Sequence, residues 1–185
     1  MTLALLGLCS SEDTAVELAA RLGGRAWVAH DTQKPGGPYR AAFEVVTDDV
    51  EAATSAADVS LHVRFLRVIK RATEPAGPER VIAAFGMVRH PALSHRESDD
   101  HWRDVHGPVA LRSHLAMCDY EQLSVVATLH GPPIDGLAMC AFPSREILSE
   151  RFFNDEQAKA DVTADVASFA DTRRSLPRVV LQQAV

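Results

Sequence analysis

Apolar residues along this chain switch between two spacings, and the switches mark its elements. Thr2 to Leu8 is a nearly unbroken apolar run, the pattern of a buried strand. Ser10-Ser11-Glu12-Asp13 then reads as a capping box, with a hydroxyl at the N-cap and a carboxylate three residues on. Val16, Leu18, Ala19 and Leu22 follow at helical spacing, and Gly23-Gly24 stop the helix. Arg25 to His30 predict a short strand, Lys34-Pro35-Gly36-Gly37-Pro38 a loop, Ala41 to Val46 a strand and Asp48 to Ala57 a short helix. Leu61 to Ile69 alternate as a further strand, on which His62, Arg64 and Leu66 share one face. So polar a face is expected to be exposed.

The order strand, helix, strand, strand, helix, strand then recurs. Thr73 to Glu79 hold two prolines and a glycine and mark the boundary. Val81 to Val88 predict a strand, and Ser94-His95-Arg96-Glu97 a second capping box opening a helix. Glu121 to Leu129 and Ile134 to Phe142 predict strands, Ser144 to Phe169 a long helical region, and Pro177 to Ala184 a closing strand. Two βαββαβ units, residues 1–73 and 80–185, are the ferredoxin-like topology twice over. The expected fold is α+β, two ferredoxin-like halves packed sheet to sheet within one chain, helices outside.

Composition narrows the function. The 185 residues are 46% hydrophobic and carry a formal charge of −6. An acidic chain without a Lys/Arg stripe argues against a nucleic-acid partner. No apolar run approaches the roughly 20 residues of a membrane span. Met1 to Cys9 lacks the basic flank and cleavage pattern of a signal peptide, so a cytoplasmic protein is expected. Cys9, Cys118 and Cys140 are odd in number and widely spaced, which suggests neither disulfides nor zinc.

The densest chemistry is His101-Trp102-Arg103-Asp104-Val105-His106-Gly107-Pro108. With Ser94 as N-cap, Trp102, Val105, His106 and Val109 fall on one helical face. Gly107, preceding a proline, is expected to break the helix, with Pro108 starting the next turn. His106 then faces inward near a helix C-terminus. The helix end favours its charged form and burial its neutral form, which suits a general acid/base. His101, five residues earlier, stands some 140° round an ideal helix and cannot share that face. Glu97, one turn back, is its expected partner. This spacing is not that of a helical zinc pair, and no metal is expected.

From Val81 onward the chain resembles the EthD-type branch of the dimeric α+β barrel superfamily. The resemblance rests on the strand Val81 to Val88, on Arg89-His90-Pro91-Ala92-Leu93-Ser94, and on the His101-Trp102…His106-Gly107-Pro108 core. Tyr120, Gln122, Asp135-Gly136 and Val179-Val180-Leu181 extend it. Two positions depart from the family pattern. Leu123-Ser124 replace an Asn-His pair, and Met139 and Cys140 stand where a Glu is common.

The resemblance implies cofactor-free work on aromatic or polyketide-like carbonyl compounds, by a monomer or a homodimer. His106, His101 and Tyr120 are the candidate catalytic residues, with Tyr120 as donor to a developing oxyanion. Trp102, Arg89, His90 and Asp135 are the candidate substrate-binding residues, Arg89 through its guanidinium fork. His95 is placed near a pocket mouth, and His130 in a turn. The expected activity is a lyase working in a cavity between the two sheets. The alternatives are a binding or accessory protein for a hydrophobic metabolite or an oxygenase partner, and a monooxygenase.

Overall fold

The computed structural model describes residues 3–30, 38–55, 57–70 and 79–184, over 59–70 as backbone. The loop at Lys34 to Gly37, the boundary at 71–78, and the side chains of His62, Arg64 and Leu66 lie outside the described residues. The strands are β1 (Leu3–Cys9), β2 (Arg25–Ala29), β3 (Ala41–Val45), β4 (Val59–Lys70), β5 (Val81–Met87), β6 (Asp119–His130), β7 (Gly136–Phe142) and β8 (Val179–Gln183). The helices are α1 (Glu12–Leu22), α2 (Val50–Ser55), α3 (His95–His101), α4 (Gly107–Ser113), α5 (Arg145–Glu150) and α6 (Glu156–Phe169). A π-helical turn, Trp102–His106, joins α3 to α4. No helix among the described residues is long and apolar enough to cross a membrane.

The strands close into a barrel in the order β1-β3-β2-β8-β5-β7-β6-β4. That ring holds the order β4-β1-β3-β2 and its copy β8-β5-β7-β6, the ferredoxin-like arrangement twice. The two sheets meet at their edges. Trp27 of β2 stands opposite Gln183 of β8, and Arg64 of β4 opposite Ser124 of β6, both seams antiparallel. Closure leaves no open sheet edge, which removes a surface prone to pairing with other chains.

Alternation along the strands sends one set of side chains inward. Leu6, Leu8, Trp27, Ile82, Leu123, Leu137, Met139 and Leu181 are buried together there. Arg25 of β2 lies 4.8 Å over the Trp27 ring and pairs with Glu44 of β3 and with Glu121 of β6. β2 and β6 stand four places apart in the eight-strand ring, so this guanidinium ties opposite walls. Among the described residues the inner faces pack on one another, and the cavity described below lies elsewhere than between the sheets.

The outer faces carry the helices. In the first half α1 starts at Ser11, whose side chain accepts the Thr14 N–H, and ends at Gly23 in the left-handed region at φ 69°. The cap is thus Ser11 with Thr14, not a hydroxyl–carboxylate box. Ala15, Leu18 and Ala19 of α1 close on Leu5, Phe43 and Val45. In the second half the capping box at Ser94 forms as expected, with Glu97 accepting the Ser94 N–H at 2.8 Å. Here β5, β6 and β7 present Phe85, Met87, Tyr120 and Cys140 to α4, α6 and the π turn.

Gly136, at the start of β7, lets the π turn sit close. A Cβ there would lie 2.6 Å from Trp102 Cζ3 and 2.9 Å from Cη2. Gly136→Ala is expected to cost about 1–3 kcal/mol by overpacking. The urea midpoint measures this, and an unchanged midpoint would show that the indole has room to shift.

Candidate active site

The helix from Ser94 does not break at Gly107. Gly107 is right-handed helical at φ −51°, ψ −55°, and its N–H donates to the Trp102 carbonyl five residues back. Two features favour this wider turn. In α register the Pro108 ring would meet the Asp104 carbonyl and leave it without a donor. The Trp102 carbonyl also accepts from Gln122 Nε2 at 2.9 Å, so a side chain competes for the helix ladder there.

The turn changes which residues share a face. An i→i+5 turn brings residues five apart nearly into line. His101 and His106 therefore do come together, against the α-helical expectation. His101 Nε2 lies 2.8 Å from Asp165 Oδ1, and His106 Nδ1 lies 2.7 Å from Asp165 Oδ2. Glu97 belongs to its cap, and the partner of His101 is Asp165, on α6. The same rotation leaves Val105 46% exposed, although ideal spacing would have buried it beside Trp102.

Phe169, one turn beyond Asp165 on α6, lies against both imidazoles. Its ring centroid is 5.1 Å from that of His101, stacked, and 5.2 Å from that of His106, tilted. The Phe169 carbonyl accepts from the His90 N–H at 2.8 Å and from Ser98 Oγ at 3.1 Å. The end of α6 is thus held to the segment after β5 and to α3, beside Asp165.

His106 lines a cavity of about 500 Å³, within the ordinary range of ligand pockets. The cavity lies between the outer face of β5, β6 and β7 and the helices, not inside the barrel. Phe85, Met87, Trp102, Val166 and Phe169 make it largely apolar, and Ala110 and Ala138 leave it room. Asp165 is not in the lining. The imidazole edge left to the cavity is the one carrying Nε2, which has no hydrogen-bond partner among the described residues. A carboxylate on Nδ1 requires the proton there, so Nε2 holds the lone pair. Burial, first, pulls the His106 pKa below the ordinary imidazole value. Asp165 opposes that shift, and His101 adds to it. At neutral pH His106 is a neutral, oriented base.

Tyr120 of β6 lines the same cavity. Its oxygen accepts from Trp102 Nε1 at 3.1 Å and from Gln122 Nε2 at 3.3 Å. Both neighbours offer N–H, so the phenol hydrogen has no acceptor among the described residues. Burial raises its pKa, keeping it protonated. The result is a preset O–H donor beside an oriented base. Gln122 is fully buried with its Oε1 unpartnered, its amide committed to holding Tyr120 and the π turn.

The other sequence candidates stand apart. Arg89 forms an ion pair with Asp135, whose Oδ2 also accepts the Arg89 N–H at 2.9 Å, and neither lines the cavity. His90 Nδ1 accepts the Ala92 N–H at 3.2 Å in the following turn, and His95 Nε2 donates to the Val125 carbonyl at 2.7 Å. Both are outside the lining. Ser124, one of the two departures from the family pattern, donates to buried Asp99 and ties β6 to α3. Cys140, the other, lines the cavity, but burial pushes its thiol up to about 12, which removes it as a nucleophile near neutral pH. Among the described residues no cluster of His, Cys, Asp or Glu has the arrangement of a metal site. Sequence reasoning missed Asp165, because the segment Ser144 to Phe169 read only as a long helical region and nothing local ties it to a histidine 59 residues away.

Residues 90–173 match the EthD domain model. Similar solved structures include an anthrone oxidase-like protein, at 10% identity and TM-score 0.58 over 100% of this chain and 91% of that one. A candidate monooxygenase from Lactobacillus acidophilus NCFM is 10% identical, with TM-score 0.52 over 98% and 92%. One from Fusobacterium nucleatum is 7% identical, with TM-score 0.55 over 98% and 91%. At these identities the likeness is one of fold. No curated protein matches the chain.

Two measurements check the electrostatics. In the Cε1–H NMR titration His106 should have a midpoint below that of a free imidazole, and Asp165→Asn should lower it further by removing the anion that favours the charged ring. A midpoint unchanged or raised by the substitution would contradict the dyad. Stability should be full at neutral pH and fall as pH drops below about 6.5, because the unfolded chain takes up this proton before the folded chain does. Denaturation at successive pH values should show a shallower acid loss in His106→Gln.

Proposed function

We propose that this protein is a small-molecule enzyme that begins by removing a proton from an aromatic carbonyl compound. One observation carries the reading: a neutral histidine, oriented by a carboxylate, shares an apolar cavity with a tyrosine whose hydroxyl proton is unspent. His106 Nε2 takes the proton from a carbon next to a carbonyl, or from a phenol. Tyr120 donates to the carbonyl oxygen as charge gathers there, and Asp165 stabilises the imidazolium. His101 shares Asp165 and positions it. Trp102 and Phe169 hold the substrate ring. Reprotonation at a different atom, or departure of a neighbouring group, completes a lyase or isomerase cycle.

A second reading shares the first step. The anthrone oxidase-like and monooxygenase-like neighbours have the same fold. An enolate formed by His106 would pass one electron to dioxygen, and the carbon radical and superoxide would combine into a peroxide whose O–O cleavage releases water and leaves one oxygen on the carbon. The site holds the carbanion in either case, and what meets it decides the product.

Anthrone is a suitable probe because its acidic methylene faces its carbonyl across a ring. In deuterated buffer without oxygen, the protein should accelerate exchange at that methylene, and His106→Gln should lower the acceleration by roughly 10²–10⁴-fold. Tyr120→Phe should slow it less. Oxygen uptake in air would select the monooxygenase reading, and exchange without uptake the lyase reading. No acceleration over buffer, or full rate in His106→Gln, sinks the proton-transfer reading.

A further inference from the structure

The cavity lining also holds a charged group that this proton-transfer chemistry does not use. Arg178 stands immediately before β8 and lines the cavity, with its guanidinium carbon 5.6 Å from the Phe152 ring centroid. Phe152 and Phe153 flank His114, whose Nδ1 donates to the Phe152 carbonyl. This part of the lining is aromatic, with one cation above it. Unlike buried His106, Arg178 is exposed, so it marks the mouth of the cavity.

Acidic residues outnumber Lys and Arg by 25 to 19. Arg25, Arg40, Arg80, Arg89 and Arg103 each have a carboxylate partner. Arg178 has none among the described residues. Partial burial lowers its pKa, and a second cation, Arg145, lowers it further. An arginine at a cavity mouth, beside another arginine and without a counter-ion in an acidic protein, holds an anion-binding position open.

We infer that the substrate carries a carboxylate, and that Arg178 binds it at the mouth of the cavity while the aromatic body reaches inward to His106 and Tyr120. This deepens the function proposed above and rests on it for the inner end alone. The placement is physically economical. The anion stays partly hydrated at the rim and gains a guanidinium fork, while the apolar rings are removed from water. It also fixes orientation, since an aromatic acid cannot reverse in the cavity without burying its charge.

The test uses 2-naphthoate and 2-naphthamide, which share one ring system and differ in charge. Their affinities for the full chain are measured by calorimetry at low and high salt. The acid should bind about tenfold more tightly than the amide at low salt, and the preference should shrink as salt screens the exposed pair. Arg178→Gln should bring the ratio close to one, Arg178→Lys should keep part of it, and Arg178→Glu should reverse it. Because the residue is exposed, all three variants should melt with the wild type. His106→Gln should leave the ratio intact, so failed proton transfer and failed anion binding are read separately. Equal binding of acid and amide, a preference that survives Arg178→Gln, or no binding of either compound would each overturn the inference.

Discussion

One carboxylate organises the active side of this molecule. Asp165 receives a hydrogen bond from each of two histidines, and they can both reach it only because the helix between them is wound one residue wide. In a regular α-helix His101 and His106 would point in different directions, and the carboxylate could engage one of them. The π turn costs some helical hydrogen-bond quality. Gln122 offsets this by sharing the Trp102 carbonyl, and the same amide steadies the Tyr120 hydroxyl. Base, donor and helix register are parts of one hydrogen-bonded unit.

The barrel explains why that unit has a cavity beside it. Closure through the β2–β8 and β4–β6 seams brings the inner faces together and fills the interior with Leu6, Trp27, Leu123 and Leu137. The described ligand space lies outside, under the helices. In the first half α1 packs its small residues directly onto Phe43 and Val45. The second half spaces its helices with Phe152, Trp102 and Phe169 while the sheet beneath is lowered by Ala138 and Gly86. Two copies of one topology thus divide the work, one completing the barrel and the other carrying the site.

The family match covers the segment with the candidate site, and the structural neighbours extend over the whole chain. That division agrees with the site, because Trp102, His106, Tyr120 and Asp165 all fall within residues 90–173. Arg178 lies just beyond it. The proposed proton-transfer centre thus sits inside the matched segment, while the group at the cavity mouth comes from the connector that follows.

Element order, the duplicated topology, the Ser94 capping box, and the burial of Trp102 and His106 were all legible in the sequence. Each depends on neighbours a few residues away: strand alternation, helical spacing, a hydroxyl paired with a carboxylate. Inward-facing His106 was readable for the same reason. The tertiary structure alone decided that His101 joins it, that Asp165 is their shared partner, and that the cavity lies outside the barrel. The π turn departs from the ideal period under the pull of Pro108 and of Gln122 on another element, so spacing computed on 3.6 residues misplaces every side chain after it. Asp165 is 59 residues from His106 and meets it only when α6 docks. Arg89 and Asp135 show the converse, two charges that read as ligand groups but neutralise each other once β5 and the β6–β7 connection are brought together.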